Sequence, residues 1–211
     1  MDYITRSSFA TFNTVKWLRY LLVICALWQL KPVQGQTAWY LADLLFQTMY
    51  NWEEGGVEMK YSAIGNKHEV FYGARGGWQA TDNFLFGYGG YVSGTVFNGT
   101  PVGYHVDMSY GGITLEFQRP VDERLSFNFP ILIGGGGAWL NGTDFPDEGP
   151  YSTGFFVAEP GASISMKVAP FLKMEASGTY RFCVGSKMPA ARDAQLSAPA
   201  FGMALIFGDF Y

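Results

Sequence analysis

The sequence predicts an all-β chain, a closed antiparallel eight-stranded up-and-down transmembrane β-barrel with a short helical segment ahead of the first strand. Three observations carry that expectation. From Gly55 onward, apolar and polar residues alternate with a period of two, the period of a sheet with two different faces. The connections alternate as well, short at one end of the strands and longer at the other. The composition is 18% aromatic and 15% charged with 27 glycines, where about a quarter charged is usual. That balance excludes a disordered chain, and the glycines keep no Gly-X-Y period, which excludes collagen.

Residues 1–35 read as an export signal. Lys16-Trp17-Leu18-Arg19-Tyr20 is a positive flank, Leu21 to Leu30 is a short apolar run, and Val33-Gln34-Gly35 offers small residues for cleavage. The run is too short to span a bilayer, which takes about 20 apolar residues. Its removal takes away Asp2 and the bases Arg6, Lys16, Arg19 and Lys31, leaving 10 basic against 17 acidic residues. Such a chain has no basic surface for nucleic acid. Cys25 leaves with the signal, and Cys183 alone forms neither a disulfide nor a zinc site. No metal or cofactor is expected.

Residues 36–54 do not alternate. Leu41, Leu44, Leu45, Thr48, Met49 and Trp52 recur at three and four, the spacing of a short amphipathic helix. Residues 55–211 form the barrel. Its strands are expected at Val57–Ile64, Glu69–Ala80, Phe84–Val96, Tyr104–Arg119, Leu125–Trp139, Phe155–Val168, Phe171–Phe182 and Leu196–Phe207. The clearest is the seventh: Lys173, Glu175, Ser177, Thr179 and Arg181 share one face, and Met174, Ala176, Tyr180 and Phe182 the other. The fourth changes parity at Gly111-Gly112, where a glycine bulge would reset the register. Gly65–His68, Phe97–Gly103, Leu140–Thr153 and Cys183–Gln195 are the connections of the outer end.

With the apolar face toward lipid, the inward face carries Glu58, Lys60, Glu69, Arg75, Asp107, Glu116, Glu159, Lys167, Lys173, Glu175 and Arg181. Eight strands enclose a lumen just wide enough for side chains to fill, and these near-balanced charges would pair within it. A filled structural or surface-binding scaffold follows; the alternatives are a narrow pore for small solutes and a soluble, lipocalin-like barrel with the faces reversed. His105, Asp107 and Ser109 alternate on one strand, but residues two apart lie about 7 Å from each other, so no catalytic set is assigned and no enzyme is expected. Asn98-Gly99-Thr100 and Asn141-Gly142-Thr143 are turn sequences that also match a glycosylation sequon. Gly134–Gly137 is followed by no Lys-Ser/Thr and is not a phosphate loop.

The chain ends Leu205-Ile206-Phe207-Gly208-Asp209-Phe210-Tyr211. An alternating apolar last strand finishing on aromatics resembles the C-terminal assembly signal of outer-membrane barrels, here Leu205, Phe207, Phe210 and Tyr211. With Val157-Ala158-Glu159-Pro160-Gly161 and Tyr180-Arg181-Phe182, residues 55–211 resemble the small eight-stranded outer-membrane β-barrel family, of the type of outer membrane protein X and the transmembrane part of outer membrane protein A. The resemblance implies location in the cell outer membrane, contact with its lipid and lipopolysaccharide, insertion by the barrel-assembly machinery, and a monomer. Because some barrels of this family modify lipid A, it also keeps a lipid-modifying enzyme as an alternative.

Overall fold

The computed structural model describes residues 53–94, 104–142 and 151–210. The export signal, the helical segment up to Trp52, the tips of two outer connections and Tyr211 lie outside the described residues. Eight strands pair each with the next, and the last pairs with the first: β1 Glu54–Ile64, β2 Lys67–Thr81, β3 Phe84–Ser93, β4 Tyr104–Pro120, β5 Leu125–Gly142, β6 Ser152–Ala169, β7 Leu172–Val184 and β8 Ala198–Gly208. Every pairing is antiparallel. β1 begins at Glu54, inside the segment expected to be helical, and β5 and β6 run longer than the alternation suggested.

The register fixes the shape. Leu125 pairs with Met166, Met166 with Met174, Met174 with Leu205, Leu205 with Val57, Val57 with Ala74, Ala74 with Gly90, Gly90 with Gly111, and Gly111 with Gly135. One circuit therefore climbs from Leu125 to Gly135 on β5, a stagger of ten residues. Over eight strands this tilts them by about 40° from the axis.

The period of two sorts the side chains as expected. Val57, Met59 and Tyr61 of β1 and Phe201, Met203 and Leu205 of β8 point outward and are exposed, whereas Glu58, Lys60 and Ser62 are buried within. The space for large lumenal groups comes from facing glycines. At Gly202 of β8, a Cβ would strike Ser177 Oγ and stand 2.7 Å from Glu58 Oε1. Gly202→Val is expected to lower stability by about 1–3 kcal/mol through overpacking, measured by urea unfolding of the refolded barrel.

β4 departs from the expectation. Its pairing with β3 and β5 runs without interruption through Gly111 and Gly112, so there is no bulge. Even positions face the lumen along the whole strand: Tyr110 stands opposite Tyr91, and Thr114 opposite Gly87. What changes at Gly111-Gly112 is the chemistry of the two faces. Below it the lumen side carries Thr114, Glu116 and Gln118, and the outer side Ile113, Leu115 and Phe117. Above it the lumen side carries Val106, Met108 and Tyr110, and the outer side His105, Asp107 and Ser109.

The reversal extends across the upper part of β5 and β6. Ala138, Leu140, Phe155 and Val157 face an apolar core with Phe71, Tyr91, Met108 and Tyr110. The outward positions there are Gly135, Gly137, Trp139, Asn141, Ser152, Gly154 and Phe156. Strands of 18 residues tilted by about 40° rise roughly 45 Å, whereas the apolar band of an outer-membrane barrel is about 25 Å tall. The lower part is thus patterned for lipid outside. The upper part is mixed outside: polar on β4, where Asp107 and His105 are nonetheless buried, glycine-rich on β5 and β6, and apolar at Trp139 and Phe156.

The connection from β7 to β8 closes the outer mouth. It contains a 3-10 turn, Pro189–Ala191, and a single helical turn, α1, Asp193–Leu196. Met188, Ala191 and Leu196 are fully buried in the apolar core. The carbonyl of Gln195 accepts from Gly65 N at 2.7 Å, which ties α1 to the β1–β2 turn.

Candidate functional site: the lumen

The lumen has three layers. At the inner mouth an open cavity of about 410 Å³ is lined by residues including Glu53, Glu54, Lys167, Lys173, Asp209 and Phe210. Lys173 Nζ lies 3.2 Å from Glu54 Oε2 and 3.9 Å from the centre of the Phe210 ring. Lys167 Nζ donates to Phe210 O at 3.3 Å. The short turn from β4 to β5 is set by Asp122, whose Oδ1 accepts from Arg124 N and Leu125 N at 2.7 and 2.8 Å. Those two N–H groups hold the Asp122 carboxyl below its ordinary range.

Gln118 connects the mouth to the central layer. Its Nε2 donates to Glu54 Oε1 at 3.2 Å and to Glu116 Oε1 at 2.9 Å. In the centre, Arg75 from β2 meets three carboxylates. Its Nε lies 3.3 Å from Glu58 Oε2, its Nη1 2.6 Å from Glu116 Oε2, and its Nη2 bonds Glu175 Oε1. Lys60 Nζ bonds Glu159 Oε1 at 2.6 Å, stands 4.0 Å from Glu58 Oε1, and lies 3.6 Å from the centre of the Tyr91 ring. Neutral donors fill in around them: Tyr91 Oη to Glu58 at 2.6 Å, Thr179 Oγ1 to Glu159 at 2.7 Å, Ser177 Oγ to Glu58 and Asn128 Nδ2 to Glu175 at 3.2 Å each. All six charged groups are buried.

In the outer layer, Arg181 is fully buried beneath the plug. Its Nε donates to Leu196 O and its Nη2 to Ala63 O, both at 2.8 Å. Its guanidinium stacks 4.7 Å from the Phe71 ring and 5.4 Å from that of Tyr110. Backbone carbonyls and aromatic faces thus hold this cation, and it fastens the plug to β1.

Six of the expected lumenal charges therefore meet in one cluster: Glu58, Lys60, Arg75, Glu116, Glu159 and Glu175. Lys167 and Lys173 belong to the inner mouth, and Arg181 to the plug. Glu69 is half-buried at the outer end of β2. Asp107 does not enter the lumen. It lies on the outward side of β4, which keeps its register, yet it is fully buried there, with His105 Nε2 at 3.0 Å and Asn141 Nδ2 at 3.1 Å. Ser109, the next outward residue, follows about 7 Å along the strand. The central layer is consequently not balanced: four carboxylates share two cations.

Sequence reasoning passed over Glu54, Tyr91, Gln118 and Asn128. The parity of β3, β4 and β5 puts the last three on the inward face, so the signal was present. Glu54 was hidden by its assignment to the helical segment. Of the C-terminal residues, Leu205 and Phe207 lie on the outer face of β8, while Phe210 turns into the inner mouth.

Cys183, expected in an outer connection, is instead a lumen-facing residue of β7, 3% exposed, and its N–H donates to Ser197 Oγ at 2.9 Å. The folded barrel should therefore resist a maleimide at Cys183 and become labelled only on unfolding. Rapid modification of folded protein would contradict the sealed plug.

The fold and the lumen define a class, the closed eight-stranded up-and-down barrel with an apolar exterior and a filled polar centre. The chain has the fold of the small eight-stranded outer-membrane barrels. Among solved structures it is similar to Neisserial surface protein A (NspA), at 10% identity and a TM-score of 0.52, covering 74% of this chain and 95% of that one. Weaker similarity reaches the N-terminal β-barrel domain of Pseudomonas aeruginosa OprF, at 12% identity, TM-score 0.45 and 74% and 97% coverage. It also reaches Ail, the attachment invasion locus protein of Yersinia pestis, at 12%, 0.42 and 73% and 94%. No protein-family profile and no curated protein sequence matches the chain.

Proposed function

We propose that this chain is an integral outer-membrane protein that does not conduct, a filled barrel with a structural or surface-binding role. The observation that carries this reading is the double closure of the lumen. The charged cluster fills the centre, and the apolar plug of Met188, Ala191 and Leu196 fills the outer mouth. The two small cavities between strands in the centre measure about 20 and 10 Å³, room for a single water at most in each. A narrow pore is disfavoured on that ground. A soluble barrel is disfavoured by the ring of exposed outward residues such as Met59, Ile164, Phe201 and Met203.

In this reading the surface role falls to the upper wall of β4 to β6. Outer-membrane lipid and lipopolysaccharide surround the apolar band, the barrel-assembly machinery reads Leu205 and Phe207 on the last strand, and one chain is self-sufficient because the barrel leaves no unpaired edge around its lower circumference. His105 Nε2 lies 3.0 Å from Asp107 Oδ1, with no nucleophile assembled beside the pair among the described residues, so the reading is non-enzymatic.

Two measurements test it. Membrane fractionation with a heat-modifiability gel should place the protein in the outer membrane and show a shift on boiling. Planar-bilayer recording of the purified protein should be silent, and steady protein-dependent single-channel currents would overturn the closed barrel.

A further inference from the structure

Two small cavities, of about 20 and 10 Å³, touch Arg75 in the central layer. Arg75 and Thr114 line both. Glu159 lines the larger, and Glu54 lines the smaller together with the open inner mouth. Three of these residues carry a buried polar atom with no hydrogen-bond partner among the described residues: Thr114 Oγ1, Arg75 Nε and Glu159 Oε2. Arg75 Nε does lie 3.3 Å from Glu58 Oε2, but out of line for a hydrogen bond. The three residues are 5, 9 and 2% exposed, so bulk solvent does not satisfy them.

The register explains why the neighbouring strands do not satisfy them either. Thr114, Leu132 and Glu159 form one row across β4, β5 and β6. Two strand spacings are roughly 9.5 Å, and the apolar Leu132 holds the place between Thr114 and Glu159. On β3, the residue paired with Arg75 is Gly89, which offers no side chain. A Cβ on Gly89 would stand 3.2 Å from Arg75 Cβ and 3.3 Å from Thr114 Oγ1, so the glycine keeps space open beside both.

The chemistry of the gap selects its occupant. A cation cannot accept from the Arg75 N–H and would leave it unpaired. An anion is repelled by Glu58, Glu159 and Glu175, which all line the larger cavity. An apolar molecule would leave all three polar atoms unpaired. A neutral molecule that both donates and accepts satisfies them, and the volume admits one of the size of water.

We propose that the 20 Å³ cavity is a binding site for one ordered water, which accepts from Arg75 Nε and Thr114 Oγ1 and donates to Glu159 Oε2. Glu58 already stands between Arg75 and Lys60. The water adds a second link, from Arg75 to the Lys60–Glu159 pair, through partners on β2, β4 and β6. The site belongs to the folded barrel and does not depend on where the protein resides.

Two measurements test it. A crystal structure of the wild-type barrel at a resolution that shows water, from crystals grown with rubidium chloride, should show a peak within hydrogen-bond distance of all three atoms and no anomalous signal there. The absence of a peak overturns the proposal, and an anomalous peak overturns it in favour of a cation. The second measurement is urea unfolding of Thr114→Val. Valine keeps the shape of threonine and suits a strand, so the change removes little but the hydroxyl. In a dry cavity it removes an unpaired buried polar group, and the midpoint rises. With the water bound it removes one of the water's three partners, and the midpoint falls. A midpoint at or above that of the wild type overturns Thr114 as a partner of the water.

Discussion

Replacing Arg75 by methionine is expected to be the most damaging single change in the lumen, costing about 3–5 kcal/mol of unfolding free energy. The reason is convergence. Arg75 touches Glu58, Glu116 and Glu175 from three different strands, so its loss leaves three carboxyl groups facing one another in a closed space. Lys60 is spoken for by Glu159 at 2.6 Å and cannot replace it. Removing one acid of the three should cost far less, because two remain for the guanidinium. The measurement is equilibrium unfolding in urea of Arg75→Met beside Glu116→Gln. A similar loss in both variants would mean that charge balance is not what sets the stability of the centre.

The second large effect lies on the other face. Met203 is in the middle of β8, outward, 60% exposed, with Phe201 and Leu205 on either side of it. If that face meets the bilayer centre, Met203→Arg should cost about 2–4 kcal/mol, falling toward zero for arginine placed near either interface. Arginine at Gly154, outward on the upper part of β6, is the contrasting site and should be tolerated. Equal tolerance at both positions would remove the membrane from the account of this surface.

Much of this was legible in the sequence because a strand's period is two and leaves no choice once one residue is placed. The seventh strand shows it: Lys173, Glu175, Ser177, Thr179 and Arg181 face inward as the alternation requires. The fourth strand shows the limit. Apolar residues at Val106 and Met108 were read as facing lipid, which forced a change of parity at Gly111-Gly112. The parity is constant, and the chemistry of the two faces changes instead. Asp107 was carried into the lumen by the same assumption. The plug was illegible for another reason. Met188, Ala191 and Leu196 follow no strand or helix period, and only the closed barrel beneath them gives those side chains somewhere to go.

The stagger and the outward pattern together make this barrel a gauge of membrane thickness. On β5 the lipid-type run goes from Leu125 through Phe127, Phe129 and Ile131 to Ile133, and then gives way to Gly135 and Gly137. Nine residues tilted by about 40° span roughly 23 Å. A helix can adjust to a thicker bilayer by straightening, but here the tilt is locked by the hydrogen-bonded register of all eight strands. In a bilayer thicker than that span, the mismatch falls on the lipid, which must thin around the wall at a modest cost for each ångström. That match to a thin membrane holds for the β5 side, whereas on β6 and β7 the outward apolar run continues to Phe156 and Val184.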